Sequence, residues 1–205
     1  MSPLAEKNIL ILGLGASGLA MARWCSRAGA KVTVADTRAA PPQLAALRAS
    51  LPGSVFIHAA LDEALLGASR FDMILKSPGL SPACVARLVA GAAANGIACS
   101  GELDLFSQAL ADLKQAQGYT PQVIGVTGTN GKTTVTSLTG QLVQGAGRSV
   151  AVAGNIGPTL LDTLADSLMR SRTVAHCPKF GCWSCRAFSS TPAAASNLPW
   201  RPFSM

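Results

Sequence analysis

The chain has 205 residues, 49% of them apolar and only 13% charged. That composition supplies a sizeable core and excludes a disordered or collagen-like chain. No apolar run reaches the ~18–20 residues of a membrane span, and the first residues lack a basic stretch followed by an apolar segment. All ten acidic residues lie at or before Asp166, together with twelve of the 17 Lys and Arg, so the net charge of +7 splits into +2 up to that point and +5 beyond it. The basic pI therefore belongs to the tail and does not argue for a nucleic-acid partner.

In chain order, Asn8–Leu12 (NILIL) is a short apolar run ending at Gly13 and reads as a buried strand. Ala16 to Ala28 reads as a helix, with Gly29 where a helix-terminating glycine belongs. Lys31–Ala35 is a second strand closing at Asp36. Pro41 and Pro42 open a helix over Gln43–Ser50. Val55–His58, Met73–Leu75 and Ile97–Cys99 are three more strands, with a helix from Ser81 to Ala94 before the last. Glu102 to about Gln117 is helical, and Gly118–Pro121 breaks it. Val123–Thr127 is a new buried strand, followed by a helix from Lys132 to about Gln144 and a strand over Ser149–Ala153. Alternating strands and helices predict an α/β fold with parallel sheets.

After about Arg172 the character changes. Residues 173–205 hold three of the six Cys, two of the three Trp, four Pro and no acid. No helical or strand period is visible there. Cys182-Trp183-Ser184-Cys185 is a C-x-x-C without the βαβ context or second ligand pair that redox or zinc chemistry requires. Cys25, Cys84 and Cys99 read as small core residues.

Gly13-Leu14-Gly15-Ala16-Ser17-Gly18 fits G-x-G-x-x-G between a strand and a helix, and Asp36 ends the next strand 18 residues beyond Gly18. Such glycines let backbone approach a phosphate at a helix N-terminus, and the acid stands where one meets a ribose hydroxyl. The motif alone favours NAD. A glycine turn that only packs helix on strand is the plain alternative.

Gly128-Thr129-Asn130-Gly131-Lys132-Thr133-Thr134 also joins a strand to a helix. Its backbone N–H groups suit phosphates, Lys132 suits β/γ oxygens, and Thr133 suits Mg²⁺. The usual phosphate loop has four residues between its first glycine and the G-K pair. Here Val126 occupies that first position, so the loop is a variant. Gly154-Asn155-Ile156-Gly157-Pro158 and Lys76-Ser77-Pro78-Gly79 each follow a strand. Read alone, both pass for ordinary turns.

Taken together, LGLGASG (12–18), VADTR (34–38), KSPGLSP (76–82), GVTGTNGKTTVTSL (125–138) and AGNIG (153–157) resemble the Mur ligase family of peptidoglycan synthesis over residues 8–165. The D-T-R and K-S-P-G segments resemble its D-glutamate-adding branch. The resemblance implies a Rossmann-like UDP-substrate-binding domain at 1–101, the start of an incomplete P-loop ATPase domain at 102–172, and an aberrant tail at 173–205. It implies that Gly15, Ala16, Ser17, Asp36, Thr37, Arg38, Lys76 and Ser77 hold the uridine diphosphate substrate, with Asn155 at the cleft between domains. It assigns ATP to Gly128 through Thr134, catalysis to Lys132 and Mg²⁺ to Thr133. The implied substrates are UDP-N-acetylmuramoyl-L-alanine and D-glutamate, joined through an acyl phosphate by a cytoplasmic monomer. An NAD-dependent oxidoreductase and a non-catalytic nucleotide-binding fragment are the other readings.

Family chains are far longer, and their magnesium-binding acid and His, modified Lys and D-glutamate contacts have no match in this chain. Read one base earlier, Cys177–Met205 is compatible with LPEVWVLELSSFQLDAGGGFEPTVATVLN, which holds an apolar strand and then the S-S-F-Q-L that the family has at this place. The expectation is therefore a frame-shifted tail on a truncated chain without ligase activity. A genuine divergent tail is the alternative.

Overall fold

The computed structural model describes residues 3–67, 70–154, 157–170 and 177–184. The chain divides into two compact units, Met1–Glu102 and Leu103–Met205.

The first unit is built from β1 (Asn8–Leu12), α1 (Ala16–Arg27), β2 (Lys31–Asp36), α2 (Leu44–Ser50), β3 (Val55–His58), α3 (Ala64–Gly67), β4 (Met73–Lys76), α4 (Pro82–Ala94) and β5 (Ala98–Gly101). Its five strands pair in parallel in the order β3-β2-β1-β4-β5. β1 is central, and Ile9 through Leu12 are fully buried. A strand covered on both faces needs no polar alternation, which is why NILIL is apolar throughout. Leu10 and Leu12 join Ile74, Val85 and Leu88 in one core. α1 packs on β1 and β2. Ser81 caps α4 by accepting from the Cys84 amide at 3.3 Å, and Pro82 takes the first helical position.

The second unit holds α5 (Glu102–Gln117), β6 (Gln122–Val126), α6 (Lys132–Gly145), β7 (Val150–Gly154), α7 (Leu160–Arg170) and β8 (Phe180–Ser184). The order of its parallel sheet is β6-β8-β7. α6 lies against this sheet so closely that a Cβ on Gly140 would stand 2.5 Å from Val152. Tyr119 donates its hydroxyl to the Pro178 carbonyl at 2.7 Å, tying the segment after α5 to the approach to β8.

Three expectations need correction. The short α3 and all of α7 go unread in the sequence. α7 buries Leu160, Leu161, Leu164 and Ala165, a helical spacing, and Thr159 caps it through the Asp162 amide. The stretch after about Arg172 shows no strand period in its sequence, yet β8 lies there, in the middle of the sheet. With β6 on one edge and β7 on the other, both edges of this five-residue strand are paired, and a run that short offers too few positions for a period to be read from its sequence. Residues 173–176 and 185–205 of the expected aberrant tail, including Cys185, lie outside the described residues, as does Asn155. Finally, Cys25 is buried as expected, but Cys84 and Cys99 are exposed rather than part of the core.

Candidate functional site

In the first unit the turn after β1 lies between the C-terminal ends of β2 and β4. Gly13 has φ +84°, a left-handed conformation that favours glycine. Its amide donates to the Ala35 carbonyl at 2.8 Å, prolonging the sheet beyond β1. Its carbonyl accepts from the Ser77 hydroxyl at 2.7 Å, and the next amide, of Leu14, donates to Asp36 Oδ2 at 2.7 Å. The chain then enters α1, with Gly15 as the flanking residue and no side-chain cap. The first amides of α1 have no partner within the helix, so Ala16 and Ser17 sit where an anion is favoured. Gly18 is required by packing, since a Cβ there would lie 2.0 Å from the Gly13 carbonyl oxygen. A Cβ on Gly15 would meet nothing within 4 Å, which leaves that side open to a ligand.

Asp36 is buried and fully engaged. Oδ1 accepts from the Arg38 amide at 2.9 Å and Arg38 Nε at 2.8 Å; Oδ2 accepts from Leu14 and from an Arg38 terminal nitrogen at 2.8 Å. Four donors match the four acceptor positions of a carboxylate. The Arg38 guanidinium, with help from the two amides, outweighs burial and lowers the Asp36 carboxyl to about 2. Arg38 itself is half-exposed. Thr37 is exposed, and its carbonyl oxygen lies 3.2 Å from His58 Nε2. His58 is a neighbour that sequence reasoning missed; its signal was that it ends β3 in register with Asp36 at the end of β2.

Lys76 ends β4 and is half-buried. Ser77 is buried, and its amide also donates to Leu12 at 3.0 Å. The structure therefore brings Gly15, Ala16, Ser17, Asp36, Thr37, Arg38, Lys76 and Ser77 to the same end of one sheet. It gives Asp36 and Ser77 internal partners rather than free polar groups.

In the second unit, Gly128 (φ +143°) and Gly131 (φ +74°) shape the loop between β6 and α6. Gly131 flanks α6, so no Cβ opposes the left-handed turn into the helix. Residues 127–131 are exposed, as are Thr133 and Thr134. Lys132 folds back so that Nζ donates to the carbonyls of Gly128 and Thr129, the latter at 3.1 Å. These carbonyls hold the ammonium over its own loop, a position from which phosphate oxygens can draw it. Among the described residues no cluster of three or more His, Cys, Asp or Glu is placed to hold a metal. Thr133 offers one exposed hydroxyl, which fits Mg²⁺ held chiefly by phosphate oxygens and water. Among the described residues no helix is long and apolar enough to cross a membrane.

The fold and its two glycine turns place the chain among parallel-sheet α/β proteins, whose ligands gather at the C-terminal ends of strands. Residues 7–101 match the family description "Mur ligase MurD-like, N-terminal domain", and residues 126–182 match "Mur ligase middle domain". The chain belongs to the Mur ligase family. The second match runs ten residues past Arg172, beyond the residues 8–165 whose motifs carry the resemblance.

The chain is 64% identical over 168 residues to the UDP-N-acetylmuramoylalanine–D-glutamate ligase of Albidiferax ferrireducens, covering 82% of this chain and 33% of that protein. It is 54% identical over 165 residues to the ligase of the same name from Ralstonia nicotianae, covering 80% and 33%. The corresponding Burkholderia multivorans protein is 47% identical over 196 residues, covering 93% and 39%. The chain thus spans about a third of the length of these relatives. Among solved structures, the UDP-N-acetylmuramate–alanine ligase MurC of Thermotoga maritima matches with a TM-score of 0.44 and 22% identity, over 72% of this chain and 31% of that one.

Proposed function

We propose that this chain carries the UDP-substrate-binding domain (1–101) and the opening of the ATP-binding domain (102–172) of a cytoplasmic ligase that joins D-glutamate to UDP-N-acetylmuramoyl-L-alanine. The observation that carries this reading is the 64% identity to a relative bearing that name. In the first unit, Gly15, Ala16 and Ser17 receive the diphosphate at the N-terminus of α1. Thr37, Arg38 and Lys76 surround the uridine end, and Asn155 serves the same substrate. Asp36 offers no acceptor position to a ribose diol, which speaks against the NAD-dependent alternative.

In the second unit, Gly128 through Thr134 cradle ATP. Lys132 leaves its own carbonyls for the β- and γ-phosphates and stabilises the charge that develops as the γ-phosphoryl group moves. Thr133 would help to hold Mg²⁺, which would supply further charge neutralisation. A substrate carboxylate oxygen attacks the γ-phosphorus and ADP leaves. The D-glutamate amine then attacks the acyl carbon, and phosphate leaves as the amide forms.

Because the chain spans a third of its relatives' length, we assign ligation to the longer protein and binding to these 205 residues. Titration calorimetry of the 205-residue chain tests this assignment. It is expected to show binding of UDP and Mg·ADP, no binding of NADH, and no D-glutamate-dependent phosphate release from ATP. Binding of NADH without UDP overturns the reading of the first unit. Ligation by the chain alone overturns the division of labour.

A further inference from the structure

We infer that Ser77 and Asp36 are positioning residues, which clamp the Gly13–Leu14 peptide group from opposite sides and thereby fix the phosphate-facing turn. The inference rests on the uridine diphosphate reading of the first unit and reassigns two residues within it. Ser77 donates to the carbonyl of that peptide at 2.7 Å, and Asp36 accepts from its N–H at 2.7 Å. Both residues are almost wholly buried, Ser77 at 5% and Asp36 at 2% exposure. A serine has a single O–H to donate, and here Gly13 takes it. Asp36 has all four acceptor positions filled, so Asp36 has none left for a ligand and Ser77 has no proton left to give one.

The two jaws come from different strand ends, β4 for Ser77 and β2 for Asp36, on either side of β1. A peptide plane held at both ends cannot rotate, so the amides that follow it into α1 have a set direction. That direction is what a diphosphate reads. Asp36 uses its other contacts to hold the Arg38 guanidinium, so the same clamp connects the phosphate turn to an exposed cation.

The test compares the full chain with Ser77→Ala for UDP and uridine binding, and follows amide hydrogen exchange without ligand. The expected result is a roughly tenfold loss of UDP affinity with uridine binding unchanged, because only the phosphate-facing amides are released; tenfold is 1.4 kcal/mol. The Leu14 amide should exchange at least ~10-fold faster while the β1 amides keep their protection. Equal losses for UDP and uridine, no loss for either, or an unchanged Leu14 exchange rate each overturn the clamp. If the unaltered chain does not bind UDP, the ligand reading fails, and the exchange measurement still decides the clamp by itself.

Discussion

Ser77 and Asp36 lie 41 positions apart in the chain and hold the two ends of one peptide group, the carbonyl of Gly13 and the amide of Leu14. The G-x-G-x-x-G pattern makes such a turn possible by removing side chains. The clamp makes it one conformation, because a glycine turn without partners would lose entropy on every binding event.

Two of the three glycines of this motif, Gly18 and Gly15, should respond differently to a methyl group. Gly18→Ala drives a Cβ to within 2.0 Å of backbone, where no flexible side chain can give way. It should destabilise the unit by an amount at or above the upper end of the roughly 1–3 kcal/mol usual for overpacking. Gly15→Ala meets open space and should cost about 1 kcal/mol or less. Its methyl group instead stands in the path of the diphosphate. Thermal melts with UDP titrations check this; a stable Gly18→Ala variant, or a Gly15→Ala variant with full UDP affinity, would contradict it.

Asp36 predicts an acid limb in stability. Its carboxyl is lowered from 3.8 to about 2 in the folded state, chiefly by Arg38. A depressed folded-state value means the stabilisation is complete above the unfolded value near 4 and is lost as pH falls toward 2. Because Arg38 is half-exposed, the gain is discounted to on the order of 1–2 kcal/mol. Urea unfolding from pH 7 down to pH 2 should show this limb, and Asp36→Asn should flatten it. Equal slopes for the two proteins would remove Asp36 as its cause.

Lys132→Ala should separate binding from stability. Its ammonium bonds two carbonyls of its own exposed loop, so the melting temperature should barely change. Loss of one charge-assisted contact to phosphate, at about 1.5–3 kcal/mol, should weaken Mg·ADP binding by one to two orders of magnitude. Calorimetry reads both quantities, and unchanged ADP affinity would remove Lys132 from the nucleotide site.

Much of the first unit was legible in the sequence because its signals are local. NILIL, KVTVAD and the glycine run fix two strands and the turn between strand and helix by composition. What Asp36 and Ser77 do there was not legible, because hydrogen bonds spanning 22 and 64 residues leave no periodic trace. Thr-x-x-Asp at Thr159 and the leucine spacing after it did announce α7 but went unread. The cysteines mislead for a different reason: a small apolar residue fits a core, but Cys84 on α4 and Cys99 on β5 fall on outward positions. Native-state alkylation should accordingly modify both before Cys25, whose buried thiol is pushed up to about 12.

β8 poses the last question. In the frame as written, Phe180–Ser184 supplies the middle strand of the second sheet. Read one base earlier, the same five positions are compatible with V-W-V-L-E, of which only the Leu is forced whatever the codons; that too is an apolar strand, but one ending in an acid suited to Mg²⁺. Backbone pairing alone therefore does not discriminate between the frames, and the DNA does. Sequencing across codons 165–210 and the bases downstream should find the earlier frame open and running on into ligase-like residues. Function then belongs to the restored chain, with the acid at the end of β8. Early stops in that frame would make the tail genuine and the frame-shift reading wrong, leaving the 205 residues as a nucleotide-binding protein in their own right.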